Sequence, residues 1–154
     1  MDTAAERLPY IDEHAIEVAA DPAATWASLL RVAEGLVPDG LGSRFARLLG
    51  CADTATSGPR PLAVGSAFPG FHVASVVPGE ELGLAGAHRF SDYALIFHLD
   101  EAGAGRTRLR AETRAAFPGL KGSAYRGLVI GTRGHVLATR RILGAVKRRA
   151  ERPR

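Results

Sequence analysis

The feature that most constrains the fold of this chain lies in its second half, where two strand-like runs lead into one long helix-like run. The strand-like runs cover residues 90–100 and 106–117. In each run, apolar side chains recur at every second position, the spacing that places them on one face of a β-strand. Residues 101–105 between the runs contain two glycines. We therefore predict an antiparallel hairpin made of two half-buried strands.

The inner face of this hairpin follows from the alternation. The first run brings together Tyr93, Leu95, Phe97 and Leu99, and the second brings together Thr107, Leu109, Ala111, Thr113, Ala115 and Phe117. The opposite face of the second run is charged, which predicts an exposed network of ion pairs. A shift of one residue in register would exchange the inner and outer faces.

The C-terminal part of the chain predicts a long helix. No proline interrupts residues 122–149, and apolar residues recur there at helical spacing. Gly134, beside Arg133 and His135, predicts a kink or a broken start, because a glycine weakens a helix by roughly 1 kcal/mol relative to alanine. A curved antiparallel sheet closed by a long helix is expected to enclose a cavity.

The first half of the chain supplies the remaining elements. Residues 11–19 alternate and predict a first strand. Asp21 and Pro22 predict a helix start, because the Asp side chain accepts backbone N–H groups and proline suits the first helical position. A second short helix is predicted at about residues 42–49. Two further strands are predicted at residues 71–77 and 81–87, joined by Pro78-Gly79. This order predicts an α+β fold.

The length and composition of the chain limit the classes of protein to which it can belong. The 154 residues suit a single domain over residues 1–154, with a core from about residue 11 to residue 150. No apolar run approaches the roughly 20 residues of a membrane-spanning helix, and the N-terminus lacks the apolar segment of a secretory signal. The single cysteine, Cys51, excludes an intrachain disulfide and fits a reducing compartment. We therefore expect a cytoplasmic protein without integral membrane association.

The net charge of +4 is concentrated at the C-terminal end. The basic residues there are Arg140, Arg141, Lys147, Arg148, Arg149, Arg152 and Arg154. Cations near the negative end of a helix dipole and in contact with water explain this cluster, so we predict no nucleic-acid partner. The sequence contains no asparagine or glutamine. Any pocket must therefore be made polar by charged groups, hydroxyls, His, Trp, Cys or the backbone.

Two segments and the order of elements resemble the SRPBCC superfamily, the helix-grip fold of START domains, birch-pollen-type allergens and polyketide aromatase/cyclases. Residues 11–29 (IDEHAIEVAADPAATWASL) resemble its opening strand and helix. Residues 73–97, with Pro78-Gly79 and Tyr93, resemble its central strands. The resemblance covers about residues 11–150 and is nearest to small bacterial members of unassigned function. It implies a curved antiparallel sheet wrapped on a long C-terminal helix, two short helices after the first strand, and a cavity between sheet and helix.

Candidate ligand-binding residues follow from these inward faces together with the implied cavity. Apolar and aromatic candidates are Trp26, Phe71, Tyr93, Leu95, Phe97, Leu109, Phe117, Val129 and Val136. Polar candidates that would orient a ligand are His88, Tyr125, Thr132 and Thr139. The alternative for the helix residues is ordinary core packing, and the alternative for His88 is a hairpin end that faces water.

The leading functional prediction is the binding of a small hydrophobic ligand, such as a lipid, a polyketide or an aromatic metabolite. A cyclase or dehydratase that uses His88 or Tyr125 as acid or base is an alternative, and a protein-interaction module is a second. No two histidines lie at the spacing of a metal site on one strand or helix, so we predict no metal and no cofactor. A monomer and a homodimer remain open.

Overall fold

The computed structural model describes residues 3–38, 40–130 and 133–153. Six strands form one curved antiparallel sheet in the order β1-β6-β5-β4-β3-β2. The strands are β1 (Tyr10–Val18), β2 (Ala67–Phe68), β3 (Phe71–Val77), β4 (Glu81–His88), β5 (Ser91–Glu101) and β6 (Thr107–Ala116). The helices are α1 (Pro22–Glu34), α2 (Leu41–Leu49), α3 (Gly119–Val129) and α4 (Gly134–Ala150). The α+β helix-grip fold predicted from the sequence is confirmed.

The hairpin of β5 and β6 has the register that the alternation predicts. Leu99 pairs with Leu109 and Phe97 with Ala111, and all four side chains belong to the main hydrophobic core. Phe97 and Leu109 are fully buried. The charged outer face carries ion pairs, among them Arg110 with Asp100 and with Glu13.

The regular pairing of β1 with β6 begins at Asp12, which lies opposite Thr113. A β-bulge precedes it, since the register shifts by one residue between Tyr10 and Asp12. Thr113 has the same parity as Leu109, which faces the core. Asp12 shares this face with Ile16 and Val18, so its carboxylate lies on the inner, helix-covered face of the sheet.

The core lies between one half of the sheet and helices α1 and α4. Asp21 caps α1 as predicted, because its Oδ1 accepts a hydrogen bond from the backbone N–H of Ala24 at 2.7 Å. Leu29 of α1 and Val146 of α4 are fully buried in the same cluster as Val18 of β1. Trp26 of α1 packs against the edge of this cluster and is partly buried.

The C-terminal helix is broken, which confirms the kink predicted near Gly134 and corrects the single helix predicted over residues 122–149. Helix α3 ends at Val129 and α4 begins at Gly134. Arg133 between them has φ of 58°, a left-handed conformation that cannot continue a right-handed helix. Thr132, a predicted pocket residue, lies outside the described residues.

The N-terminal segment covers part of the outer face of the sheet. Ala5 is buried against Ala94 and Ile96 of β5, and Leu8 packs beside them. The Arg114 guanidinium on β6 donates hydrogen bonds to the backbone carbonyls of two residues in this segment. Among the described residues, no helix is long and apolar enough to cross a membrane.

Candidate functional site

A pocket of about 340 Å³ opens between the second half of the sheet and helices α2, α3 and α4. It lies beyond the end of the packed core, where β5 begins and β6 ends. Most of its lining is aromatic or aliphatic. A volume of this size falls within the range that small-molecule sites occupy. The sheet and the broken C-terminal helix therefore leave room for a compact ligand.

Aromatic rings form a continuous cluster along one wall. The Tyr125 ring contacts His88 edge-on at a centroid distance of 4.8 Å and stacks on Phe90 at 5.6 Å. Phe71 and Tyr93 meet edge-on at 5.3 Å, and the ring of His88 lies 5.5 Å from Tyr93. Edge-on and offset contacts of this kind hold rings in fixed orientations.

Tyr93 is fixed at the centre of this wall. Its hydroxyl donates a hydrogen bond to the backbone carbonyl of Gly70. Burial raises the pKa of Tyr93, and the neighbouring Cys51 adds to the effect, so the phenol stays neutral. Because the Tyr93 hydroxyl donates its hydrogen to the Gly70 carbonyl, the part of Tyr93 that faces the pocket is its apolar ring.

His88 supplies a hydrogen-bond donor. Its Nδ1 accepts a hydrogen bond from the backbone N–H of Phe90 at 3.1 Å. Burial lowers the pKa of His88, although the carboxylate of Asp92 opposes the shift. The neutral ring must then carry its proton on Nε2, since Nδ1 accepts. The basic nitrogen of His88 is occupied, and the group left for a ligand is the Nε2–H.

Tyr125 and Cys51 line the pocket as neutral groups. Burial raises the pKa of the Tyr125 phenol, and Cys51 contributes to the shift. Burial is also the largest cause of the raised pKa of the Cys51 thiol. Neither side chain is therefore an anion at neutral pH.

A second polar group lies at the start of α4, where the pocket meets β1. The Oδ2 of Asp12 accepts hydrogen bonds from the Nε2 of His135 at 2.6 Å and from the Nε2 of His14 at 3.1 Å. Burial raises the pKa of Asp12, and the hydrogen bonds from the two imidazoles outweigh it and hold the pKa below its ordinary value. His135 lines the pocket and is 12% exposed.

Three polar side-chain atoms around the Asp12 carboxylate are buried without a hydrogen-bond partner among the described residues. They are Asp12 Oδ1, Thr113 Oγ1 and His135 Nδ1. Leaving one such atom unpaired costs roughly 1–3 kcal/mol. The three atoms belong to residues that contact or pair with one another, and Thr113 and His135 line the pocket.

The predicted ligand-binding residues fall into three groups. Phe71, His88, Tyr93, Phe117, Tyr125 and Val129 line the pocket. Leu95 and Thr139 line an adjoining cavity of about 460 Å³, which shares Phe71, Tyr93, Thr113 and His135 with the pocket. Trp26, Phe97 and Leu109 belong to the core or pack against it, and Val136 lines neither cavity. The Thr139 hydroxyl donates to the backbone carbonyl of His135 at 2.8 Å.

The sequence reasoning did not single out Asp12 or His135. His135 lies 123 residues from Asp12, and local spacing carries no information on such a contact. The usable signal for Asp12 was parity, because Asp12 shares a strand face with Ile16 and Val18. No group of three or more His, Cys, Asp or Glu side chains in the described ranges is placed to hold a metal ion.

Helices α2 and α3 also carry exposed apolar side chains. On α2 these are Leu41, Phe45 and Leu48, and on α3 they are Leu120 and Leu128. Phe45 lines the pocket as well. Both helices border the pocket, so its surroundings are apolar on the solvent side.

No protein-family model and no curated protein matches this chain. Solved structures with the same fold include truncated norcoclaurine synthase from Thalictrum flavum, with a TM-score of 0.59, 15% identity, and coverage of 96% of this chain and 99% of that one. The Zhui aromatase/cyclase from Streptomyces sp. R1128 has a TM-score of 0.57 and 14% identity, and covers 95% of each chain. A conserved protein from Geobacillus kaustophilus has a TM-score of 0.51 and 16% identity, and covers 90% and 93%. These similarities confirm the predicted helix-grip fold.

Proposed function

We propose that this helix-grip domain binds a small, largely apolar molecule that contains at least one ring. The observation that carries this proposal is the ring cluster of Phe71, His88, Tyr93 and Tyr125 along the wall of a 340 Å³ pocket. Aromatic side chains held at fixed angles offer flat apolar surfaces for a ring. The rings along its wall favour an aromatic metabolite or a polyketide over a long-chain lipid.

The polar groups of the pocket would orient this ligand. The Nε2–H of His88 is available as a donor, since Nδ1 already accepts from Phe90. The Tyr125 hydroxyl is the second polar group on the same wall. A carbonyl or ether oxygen on the ligand would accept from these donors. A small number of polar groups in an otherwise apolar pocket orients a ligand while the desolvation penalty stays small.

The structural neighbours support a role with small molecules. One is named a norcoclaurine synthase and another an aromatase/cyclase. Fold similarity at this level of identity is a weak argument for function, so the pocket of this chain carries the proposal. The exposed apolar side chains of α2 and α3 would give an apolar ligand a route from solvent.

The other predicted functions have less support. An enzyme that used His88 as its base would need the nitrogen that the Phe90 N–H occupies. An interaction module would be favoured if the chain's own side chains filled the cavity, whereas this pocket is open. Binding is therefore the function that the geometry supports best.

Native mass spectrometry of the protein purified from cells tests the proposal first, together with calorimetric titration of 2-naphthol as a ring-containing probe. Tyr125→Leu should weaken 2-naphthol binding by about tenfold, because it removes a stacking ring and a hydroxyl. Tyr10→Leu is the matched control, since Tyr10 is 56% exposed and does not line the pocket. Equal affinity in the two variants, or no binding by the unmodified protein, would contradict the proposal.

A further inference from the structure

The cluster of Asp12, Thr113 and His135 is not needed to hold an apolar ring. Its three buried atoms without partners among the described residues, Asp12 Oδ1, Thr113 Oγ1 and His135 Nδ1, lower the stability of the fold. Thr113 and Asp12 are direct cross-strand partners, so their side chains are neighbours on the inner face of the sheet. His135 reaches the same carboxylate from the first turn of α4. The group therefore assembles from three separate elements beside the pocket.

The hydrogen bonds fix where the proton lies. Asp12 is ionised at neutral pH, because the hydrogen bonds from His135 and His14 hold its pKa below the ordinary range. A carboxylate only accepts, so Nε2 of His135 carries the hydrogen that it donates across 2.6 Å. In the neutral ring, Nδ1 is then the nitrogen with a lone pair. It is a base oriented by a carboxylate.

We propose that Asp12, Thr113 and His135 form a proton-transfer site, in which Nδ1 of His135 removes an acidic proton from an apolar ligand. The chemical class is an apolar compound with a C–H beside a carbonyl or a phenolic O–H. The C–H or O–H bond breaks, its electron pair stays on the ligand as an enolate or phenolate, and a new N–H bond forms at Nδ1. The reverse transfer returns the proton. This inference rests on the proposed function, because the ligand must first occupy the pocket.

Each neighbour has a defined part in this transfer. Asp12 is a positioning residue, because its carboxylate fixes the ring and stabilises the imidazolium that forms. The Thr113 hydroxyl would donate to the oxyanion of the ligand. The three atoms are buried beside the pocket, and the hydrogen bond between Asp12 and His135 is formed before the ligand arrives. A ligand reaches them only by displacing the side chains that shield them.

His88 and His135 differ in the one property that a base requires. The Nδ1 of His88 accepts from the Phe90 N–H, whereas the Nδ1 of His135 has no partner among the described residues. His14 contacts the same Asp12 oxygen as His135 but lines neither cavity. His72 pairs with Asp53 and lines neither cavity, so it is the control histidine.

The elimination of 5-nitrobenzisoxazole tests the site, because this flat apolar probe reports proton removal directly. The base takes the hydrogen on the ring carbon next to nitrogen, the C–H electrons complete a nitrile, and the N–O bond breaks to release a coloured phenolate. We expect turnover well above that of an equal concentration of free imidazole. His135→Gln should lower kcat by about a hundredfold, in line with the contribution of a general base. His72→Gln should stay within about threefold of the unmodified protein.

Two further variants separate catalysis from structural support. Asp12→Asn should lower kcat at least tenfold with KM within about twofold, because the substrate does not need the carboxylate to bind. Free imidazole should restore turnover to His135→Ala, a result that repair of folding alone does not give. Thermal unfolding of each variant checks that the fold is retained.

The outcomes are distinct. Loss of turnover in His135→Gln but not in His72→Gln, with imidazole rescue of His135→Ala, supports the site. Binding of 2-naphthol without turnover above free imidazole, or turnover that survives His135→Gln, overturns the proton-transfer site and leaves the binding pocket intact. Failure of 2-naphthol and 5-nitrobenzisoxazole to bind overturns the proposed function and this inference together.

Discussion

Gly86 of β4 lies directly opposite Tyr93 of β5, and the missing side chain at Gly86 leaves the space in which the Tyr93 ring crosses to Gly70. A Cβ at Gly86 would lie 2.1 Å from the Gly70 carbonyl oxygen and 2.6 Å from Cε2 of Tyr93. Both contacts are well inside van der Waals distance. One glycine thus permits the hydrogen bond that fixes the aromatic wall of the pocket.

Gly86→Ala is expected to displace Tyr93 and to lower the free energy of unfolding by about 1–3 kcal/mol, the usual effect of overpacking. Chemical denaturation measures the stability, and titration with 2-naphthol measures the pocket. Gly127→Ala is the control, since a Cβ there meets nothing within 4 Å. In the exposed part of α3 it should raise stability by about 0.5–1 kcal/mol. Unchanged stability and affinity in Gly86→Ala would contradict the close packing described above.

Substitution of Phe97 and of Phe117 tests the division between the core and the pocket. Phe97 is fully buried, so Phe97→Ala should lower the free energy of unfolding by about 3–5 kcal/mol. Phe117 is partly buried and lines the pocket, so Phe117→Ala should lower it by only about 1 kcal/mol. Probe affinity should fall in Phe117→Ala. Equal stability losses in the two variants would argue against this division.

The left-handed backbone of Arg133 predicts which substitutions at this position raise the free energy of unfolding and which lower it. Arg133→Gly should raise the free energy of unfolding by up to about 1 kcal/mol, because glycine adopts positive φ without steric conflict. Arg133→Val should lower it by about 1 kcal/mol or more, since a branched side chain is poorly tolerated there. Urea denaturation gives both values. The reverse order would indicate a continuous helix, in which glycine is the weaker residue.

Asp12 should contribute to the acid sensitivity of the fold. Its folded pKa lies below its ordinary value, so its contribution to stability is present above about pH 4 and is lost as pH falls through the folded pKa. The difference in free energy of unfolding between the unmodified protein and Asp12→Asn should therefore shrink from about pH 5 to about pH 3. Asp100, whose pKa is lowered chiefly by its hydrogen bond from Arg110, acts equally in both proteins and cancels. A constant difference over this range would show that His135 and His14 do not stabilise the ionised form.

The parts of the fold set by local periodicity could be predicted from the sequence. The alternation around Phe97 and Leu109 gave the strand faces, and Asp21 gave the start of α1. Gly134 marked the break in the C-terminal helix, although the two separate helices with left-handed Arg133 between them were not predicted. These features depend on residues close together in the chain, which is why single-sequence patterns report them.

The candidate site was only partly accessible to the same reasoning. Tyr93 and Tyr125 followed from strand parity and helical spacing. Asp12 and His135 did not, because their contact joins a strand to a helix 123 residues away. The side chains of Trp26 and Phe97 point inward, as those of the pocket residues do. Parity alone does not show which end of a strand belongs to the packed core and which end lines the pocket.

The packed core and the pocket lie at opposite ends of the same two strands. Leu99 and Leu109 belong to the core, whereas Ser91 and Ala115 line the pocket. Apart from residues such as Leu95, which belongs to the core and lines the adjoining cavity, the two ends of the sheet use different residues. Substitutions at the pocket end are therefore expected to leave more of the folding free energy intact than substitutions at the core end.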